Sequence, residues 1–349
     1  MKENYQAWHV IVDDFYKQQS EADKLKFLLK FAVLAPSSHN TQPWAFSVSR
    51  NSIHVYREIN RRLPIADTND RQLLLSIGCT IENILIAADY YGYDGEVIYK
   101  DDKDGGAVKD LIAVINFKNR TGKKETNESR NDDHLIHSII TRRTNRGKYK
   151  DDSISQKILQ SIESLQTDGL KMTFVHDKEK IFKLGDIAVA ASIESMVDDA
   201  FRHELSQHLK HNVTKSKIGM PGFTLGIPTP ISFLLPSLMR RFNMEKAAQK
   251  QNESLFRKYT PYIAVISTKE DEKRQWLEAG RKFQHLSLIL TKEGISFSPW
   301  GAPIQIGSFY RDIQSVINND YRPQIFFRVG YAKKPARHSP RLLSHEVIK

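Results

Sequence analysis

The stretch from about Asp70 to Tyr91 constrains this chain more than any other. Leu73, Leu74, Leu75, Ile77, Ile81, Ile84, Leu85 and Ile86 put apolar side chains on most faces of one long helix, which Gly92 closes. A helix apolar nearly all round must be buried on more than one side, so it needs a packing partner of similar character. The chain offers one. A second long helix, about Glu272 to Lys292, repeats the pattern at a constant offset of 202 positions, with Gly78 matching Gly280 and Gly92 matching Gly294. At that offset Leu75 meets Leu277, Ile81 meets Phe283 and Ile84 meets Leu286. Any two buried helices share apolar spacing, so the match suggests a duplicated half without establishing one.

A chain of 349 residues suits two compact domains. The polar run Lys118 to Asp133 has no apolar periodicity and reads as a surface linker, which divides the chain into halves at 1–125 and 134–349. The first half reads as a helix over Ala22–Ala35 stopped by Pro36, and a hairpin of strands Trp44–Ser49 and Ile53–Arg57. The long helix follows, then strands Glu96–Tyr99 and Leu111–Phe117. The second half reads as helices Asp133–Thr141 and Ser153–Leu165, a strand Lys171–Val175 and a helix Lys178–Ala200. A Gly/Pro-rich stretch covers Lys217–Pro236. Strand Tyr262–Thr268, the second long helix and strand Gln324–Gly330 complete it. Interleaved helices and strands with hairpins imply an α+β class.

Hydrophobic residues make up 40 %, enough to fill real cores. The lone cysteine, Cys79, excludes a disulfide framework or a cysteine-based metal site within one chain and fits a reducing cytoplasm. The first seventeen residues lack the layout of a secretory signal. The apolar stretch Pro230–Met239 falls far short of the roughly 20 residues a spanning helix needs. The expectation is a cytoplasmic chain with no membrane partner. Its net charge of +11 suits either a solvated surface or attraction of an anionic ligand. No nucleic-acid-binding signature accompanies it. His203, His208 and His211 are spaced for a shared helix face only in part and lack a carboxylate at ligand spacing, so no metal is expected.

Two short segments carry chemistry. Leu34-Ala35-Pro36-Ser37-Ser38-His39-Asn40-Thr41-Gln42-Pro43-Trp44 sets small hydroxyl and amide groups between a helix end and a strand start. Such a turn offers donors and acceptors suited to the polar edge of a planar heterocycle, although ordinary loops use the same residues. Thr141-Arg142-Arg143-Thr144-Asn145-Arg146-Gly147 places three arginines and a threonine within five residues. Guanidinium forks bind phosphate bidentately, and a basic surface stripe is the plainer alternative.

Together these segments resemble the nitroreductase family of FMN flavoproteins. Pro36, Ser37, Ser38, Asn40, Gln42, Pro43 and Trp44 complete that family's P-S-S-x-N-x-Q-P-W segment, which lies against the isoalloxazine ring. Arg142, Thr144 and Arg146 match its R-x-S/T-x-R/K phosphate segment, with Arg143 between them. The resemblance extends loosely over nearly the whole chain. It implies an α+β fold of two nitroreductase-type domains, with antiparallel sheets flanked by helices. Arg341 would be a further phosphate ligand. Asn252 stands where a family asparagine contacts the ring. Gly301 belongs to Ser298-Pro299-Trp300-Gly301, where the family has P-x-E-G and Trp300 replaces the glutamate. Ser339 stands where many members carry a basic residue, and Arg337 is the candidate to compensate.

The order of the segments departs from the family. Ordinary members carry the arginine segment shortly before the serine segment and pair as homodimers, each site using both subunits. Here the first half keeps only the serine segment and the second only the arginine segment, as a fused pseudo-dimer with one surviving site would. That arrangement is similar to the tandem-domain, Acg-type subfamily. It implies one FMN per chain, NADH or NADPH as reductant, a nitroaromatic, quinone or similar small-molecule acceptor, and a monomer able to function alone. The chemistry would belong to the cofactor, so no catalytic side chain is named. A segment at about 212–245, broken by Gly and Pro, is a candidate lid. If it stays shut, the alternative is a non-catalytic protein that stores or sequesters FMN.

Overall fold

The structure, a computed structural model, describes residues 3–100, 110–120 and 135–349. Two 3-10 turns, Glu3–Trp8 and Val12–Lys17, lead into α1 (Glu21–Ala32), whose first turn is capped by Ser20 accepting from Asp23 N at 3.1 Å. α1 ends three residues earlier than the periodicity predicts. Leu34 N and Ala35 N turn to Phe31 O and Ala32 O in 3-10 fashion, tightening the chain before Pro36. A hairpin of β1 (Trp44–Val48) and β2 (Ser52–Arg57) follows, then α2 (Arg71–Tyr90), β3 (Tyr93–Tyr99) and β4 (Leu111–Asn119). Lys118 and Asn119 finish β4, and the predicted linker from residue 121 onward lies outside the described residues.

The second half begins with α3 (Ile136–Thr141), α4 (Gln156–Glu163), β5 (Leu170–Val175) and α5 (Lys178–Ser195). The single helix expected to reach Ala200 is two helices. Met196 and Val197 turn out of α5, and Asp198 caps α6 (Asp199–His208) by accepting from Ala200 N at 2.8 Å. An excursion then holds β6 (Leu209–Lys210), β7 (Met220–Pro221), α7 (Thr229–Ser232), α8 (Leu235–Arg241), α9 (Met244–Ala247) and α10 (Gln249–Tyr259). The chain closes with β8 (Tyr262–Thr268), α11 (Lys273–Lys292), β9 (Ser296–Pro299), α12 (Ala302–Gln305), α13 (Phe309–Ile317) and β10 (Arg322–Gly330).

Among the described residues two four-stranded sheets form, both wholly antiparallel, in the orders β1-β2-β4-β3 and β5-β8-β10-β9. The segments β2-α2-β3-β4 and β8-α11-β9-β10 thus occupy the same places in their sheets. One difference matters for function. The turn from β1 to β2 needs only residues 49–51, whereas β5 and β8 are separated by residues 176–261. β8 is buried along its whole length because its two faces feed different cores: Ala264 and Ile266 face the large cluster, Ile263 and Val265 a second one against α5.

α2 and α11 begin and end 202 positions apart and pack on one another. Their closest approach is reciprocal. A methyl placed on Gly78 would stand 2.1 Å from Leu277 O, and one on Gly280 would stand 2.1 Å from Leu75 O, so each helix meets the other at equivalent residues. Only glycine allows backbones so near. Gln284 donates to Asn83 at 2.6 Å, while Arg281 and His285 hold Glu82 at 3.0 and 2.8 Å. α2 is long and apolar enough to cross a membrane by composition, with a mean hydropathy of 1.4, but its apolar surface is consumed by α1, α3 and α11.

Candidate functional site

The serine segment runs from the end of α1 into β1 over a 3-10 turn, Ser38–Asn40. His39, Asn40 and Gln42 all have positive φ (48°, 56° and 53°), unusual for residues with side chains and costing on the order of 1 kcal/mol each. Local bonds hold the loop there: Gln42 N donates to Ser37 Oγ at 2.9 Å, and Asn40 N to Ser37 O at 3.1 Å. Ser38 Oγ donates to Gln72 Oε1 at the start of α2. Gly301 lies against the same glutamine, since a methyl there would come to 3.0 Å from Gln72 Nε2. Ser38 of one half and Gly301 of the other therefore meet through Gln72, a residue that no motif marks.

Asn40 and Gln42 do different work from that predicted for the segment. The Asn40 amide donates to Gly219 O and Pro340 O, both at 3.0 Å, and its oxygen accepts from Arg341 Nη1. Gln42 donates to Lys217 O at 2.7 Å and accepts from Leu342 N at 2.9 Å. Both amides are thus spent joining the loop to the bend at residues 217–219 of the excursion and to the carboxyl-terminal tail. The tail continues to a parallel bridge between Ile348 and Phe46, covering the otherwise free edge of β1.

The arginine segment leaves α3 and lies beside β9, with Thr144 bridged to Phe297 and Asn145 N donating to Phe297 O at 3.0 Å. Asn145 also ties the segment to the tail, donating to Lys334 O at 2.8 Å. Arg142 is fully buried and donates across the halves to Leu34 O at 2.9 Å. Burial pushes its guanidinium down to about 10, against the raising influence of Cys79. Arg143, more exposed, donates to His338 Nε2 at 3.1 Å and Ala336 O at 3.3 Å. Arg341 is buried beneath Trp8, its guanidinium 5.1 Å from the indole, and is shifted well down by burial and by Arg142. Trp8 stacks on His338 at 4.0 Å and donates to Ser339 O at 2.8 Å.

These arginines converge. His338 is driven down to about 3 by burial first, then by Arg143, Arg142 and Arg341. Among the described residues neither Arg142 nor Arg341 has a carboxylate partner, and the Nε of each is buried without a hydrogen bond. Buried cations are normally paired, so this place is short of negative charge. An anion with several oxygens, such as a phosphate monoester, fits that donor set. Arg146 keeps part of its side chain exposed, while the protein around its guanidinium lowers its pKa and Tyr149 opposes that shift. It acts electrostatically on His39, which burial, His208 and Arg146 together push down to about 3. The two predicted segments therefore share one neighbourhood.

Three predicted residues sit apart from that convergence. Asn252 is on α10, where its amide donates to Glu245 at 2.9 Å. Trp300 donates from its indole to Ser192 at 2.6 Å and packs on Phe256, so it reinforces α5. Arg337 lies over the Phe223 ring at 4.2 Å, engaged with the excursion. A separate cleft of about 150 Å³ is lined by Arg57, Asn69, Asp70, Lys100 and Lys273, where α2 and α11 begin. Arg57 there is already paired with Asp110 and Asp70, so the cleft lacks the charge deficit found around Arg142. Among the described residues no group of three or more His, Cys, Asp or Glu could hold a metal ion.

The candidate lid covers the serine segment. Gly219 N donates to Asn40 O at 3.2 Å, returning the bond it receives, and Asn4 ties Thr214 O and Ser216 O to the amino terminus at 3.0 and 3.2 Å. α6 adds a second attachment, Glu204 accepting from Ile65 N and Ala66 N at 3.0 and 2.8 Å. The attached segment is broader than the 212–245 of the candidate lid, because α6 is anchored to the first half as well.

In sequence the chain is similar to curated nitroreductases over most of its length. Over 317 residues the chain is 23 % identical to "Putative NAD(P)H nitroreductase Rv3131" of Mycobacterium tuberculosis, an alignment covering 89 % of this chain and 86 % of that one. It is 20 % identical over 342 residues to "Putative NAD(P)H nitroreductase acg" of the same organism, covering 93 % and 95 %. Among solved structures, the FMN-dependent nitroreductase NfnB from Mycobacterium smegmatis in complex with NADPH is similar with a TM-score of 0.41 and 15 % identity, over 61 % of this chain and 96 % of that one. No family model matches the chain.

Proposed function

We propose that this protein is an FMN-binding, NAD(P)H-dependent oxidoreductase holding one flavin between its halves. The observation that carries the reading is the group of arginines around His338, with Arg142 and Arg341 buried and without carboxylates, beside a strained serine loop from the other half. Arg142, Arg143, Thr144, Arg146 and Arg341 hold the phosphate in this reading. Pro36, Ser37, Ser38 and Gly301 frame the ring, and Gln72 fixes Ser38 relative to Gly301. Bound FMN supplies two-electron chemistry, from NADH or NADPH to a nitroaromatic, quinone or similar acceptor. The chain's part is to bind, orient and exclude water. The relatives' names support this, as does the reciprocal α2–α11 contact, which is what a fused pseudo-dimer requires. A reducing, cytoplasmic setting suits the single buried thiol.

Arg142→Ala combined with Arg146→Ala should remove the yellow chromophore from the purified protein while leaving the fold intact by circular dichroism. Stoichiometric FMN in that variant overturns the phosphate assignment.

The lid's attachments favour a second reading, in which the flavin is stored. Asn40, Gln42 and the Ile65–Ala66 amides all bind it. Bleaching of bound flavin by NADPH followed by turnover with a nitroaromatic supports the enzyme; colour that persists with every acceptor supports storage.

A further inference from the structure

The lid has an outer face that folding alone does not explain. Of α7 and α8, Ser232, Leu235 and Met239 point inward, the last two into a small core with Met196, Leu209 and Met220. Ile231, Phe233, Leu234 and Phe242 point outward, and with Val213 they are 48–61 % exposed. They form one surface with residues 211–213: Asn212 N donates to Ser232 Oγ at 3.0 Å, and the Phe233 ring stacks on His211 at 4.8 Å. Pro228, Pro230 and Pro236 stiffen the segment, so the side chains are presented on a rigid edge.

The charge around that edge is one-sided. Residues 205–244 contain no Asp or Glu but five basic residues, Lys210, Lys215, Lys217, Arg240 and Arg241. Lys217 is turned inward to Glu346 and Glu3, while Lys215, Arg240 and Arg241 are exposed on the segments that carry Val213 and Phe242. An exposed apolar edge flanked by cations, on a chain of net charge +11, is complementary to a surface that is apolar inside and negative outside. A protein partner with an acidic rim would satisfy the charges too, and the vesicle experiment below separates the two.

We propose that the outer face of the lid, built on Ile231, Phe233, Leu234 and Phe242 with Lys215, Arg240 and Arg241, docks this protein on the surface of an anionic phospholipid bilayer. This revises the sequence-based expectation of no membrane partner. The absence of a spanning helix in residues 230–239 does not bear on surface docking, which needs an amphipathic face rather than length.

The test is co-sedimentation of the full chain with vesicles of phosphatidylcholine, with and without phosphatidylglycerol. The protein should pellet with the anionic vesicles and be released by salt. F233S/L234S and R240E/R241E should each lower partitioning by about tenfold or more. All four side chains are exposed, so melting temperatures should not move. Three results overturn the proposal: no binding to either vesicle, anionic binding that survives F233S/L234S, or self-association in sedimentation velocity that F233S/L234S abolishes, which would assign the face to a second copy of this chain.

Discussion

Arg142 is unfavourable for folding and, in the proposed reading, is kept to hold the phosphate. Its guanidinium is buried, bonded to one carbonyl and close to Arg341, with no carboxylate among the described residues to balance either. Replacing a poorly compensated buried charge with an apolar chain of similar length is often neutral or stabilising. Arg142→Met should therefore leave the melting temperature of flavin-free protein unchanged or raised, while weakening FMN binding at least tenfold by fluorescence titration. A loss of stability in the flavin-free state would mean that the Leu34 bond outweighs the buried charge. Asn40 teaches the opposite lesson. Its place in the motif points to the ring, but every polar atom of its side chain is committed to the lid, the tail or Arg341.

At the scale of elements, the α2–α11 pair decides whether the halves stay together. A methyl on Gly280 would stand 2.1 Å from a carbonyl oxygen, which no rotamer change can relieve. Gly280→Ala should cost about 3 kcal/mol in chemical denaturation, at the upper end for overpacking; a cost below the usual surface range would show that the helices can separate freely. The Glu82 cluster gives the same interface a pH signature. Burial raises the Glu82 carboxyl, but bonds from His285 and Arg281 more than offset that and hold it below the ordinary carboxylate range. A depressed folded value means that the carboxylate stabilises the protein above its unfolded pKa and loses that contribution as pH falls through the folded one. Glu82→Gln should be less stable than the parent near neutrality by about 3 kcal/mol, with the gap narrowing as pH drops below the carboxylate range. A gap constant from neutral to acid pH would exclude this cluster from the acid response.

For the whole molecule, the exchange of parts has consequences. α2 is buried against the second half, and the tail of the second half covers β1 of the first. Residues 1–125 expressed alone should aggregate, and co-expression with 134–349 should recover soluble complex; a soluble, monomeric first half would overturn this dependence. Much of that organisation was legible in the amino acids alone. Periodicity located both long helices and β8 to within a residue, because a helix or strand buried on both sides repeats its apolar residues without interruption. Positive-φ Gly92 and Gly294 marked both helix ends, since little else closes a helix so readily. The two polar segments stood out by residue type, and the structure brings the loop of one half next to arginines of the other. Short elements such as β9 and α8 were not, because a few residues carry too little pattern to separate strand, turn and helix. Nor could sequence order foretell that Gln72 joins Ser38 to Gly301, that the arginines meet at His338, or that Asn40 faces the lid. Those pairings bridge residues tens to hundreds apart, and only the packing of one half on the other brings their atoms within reach.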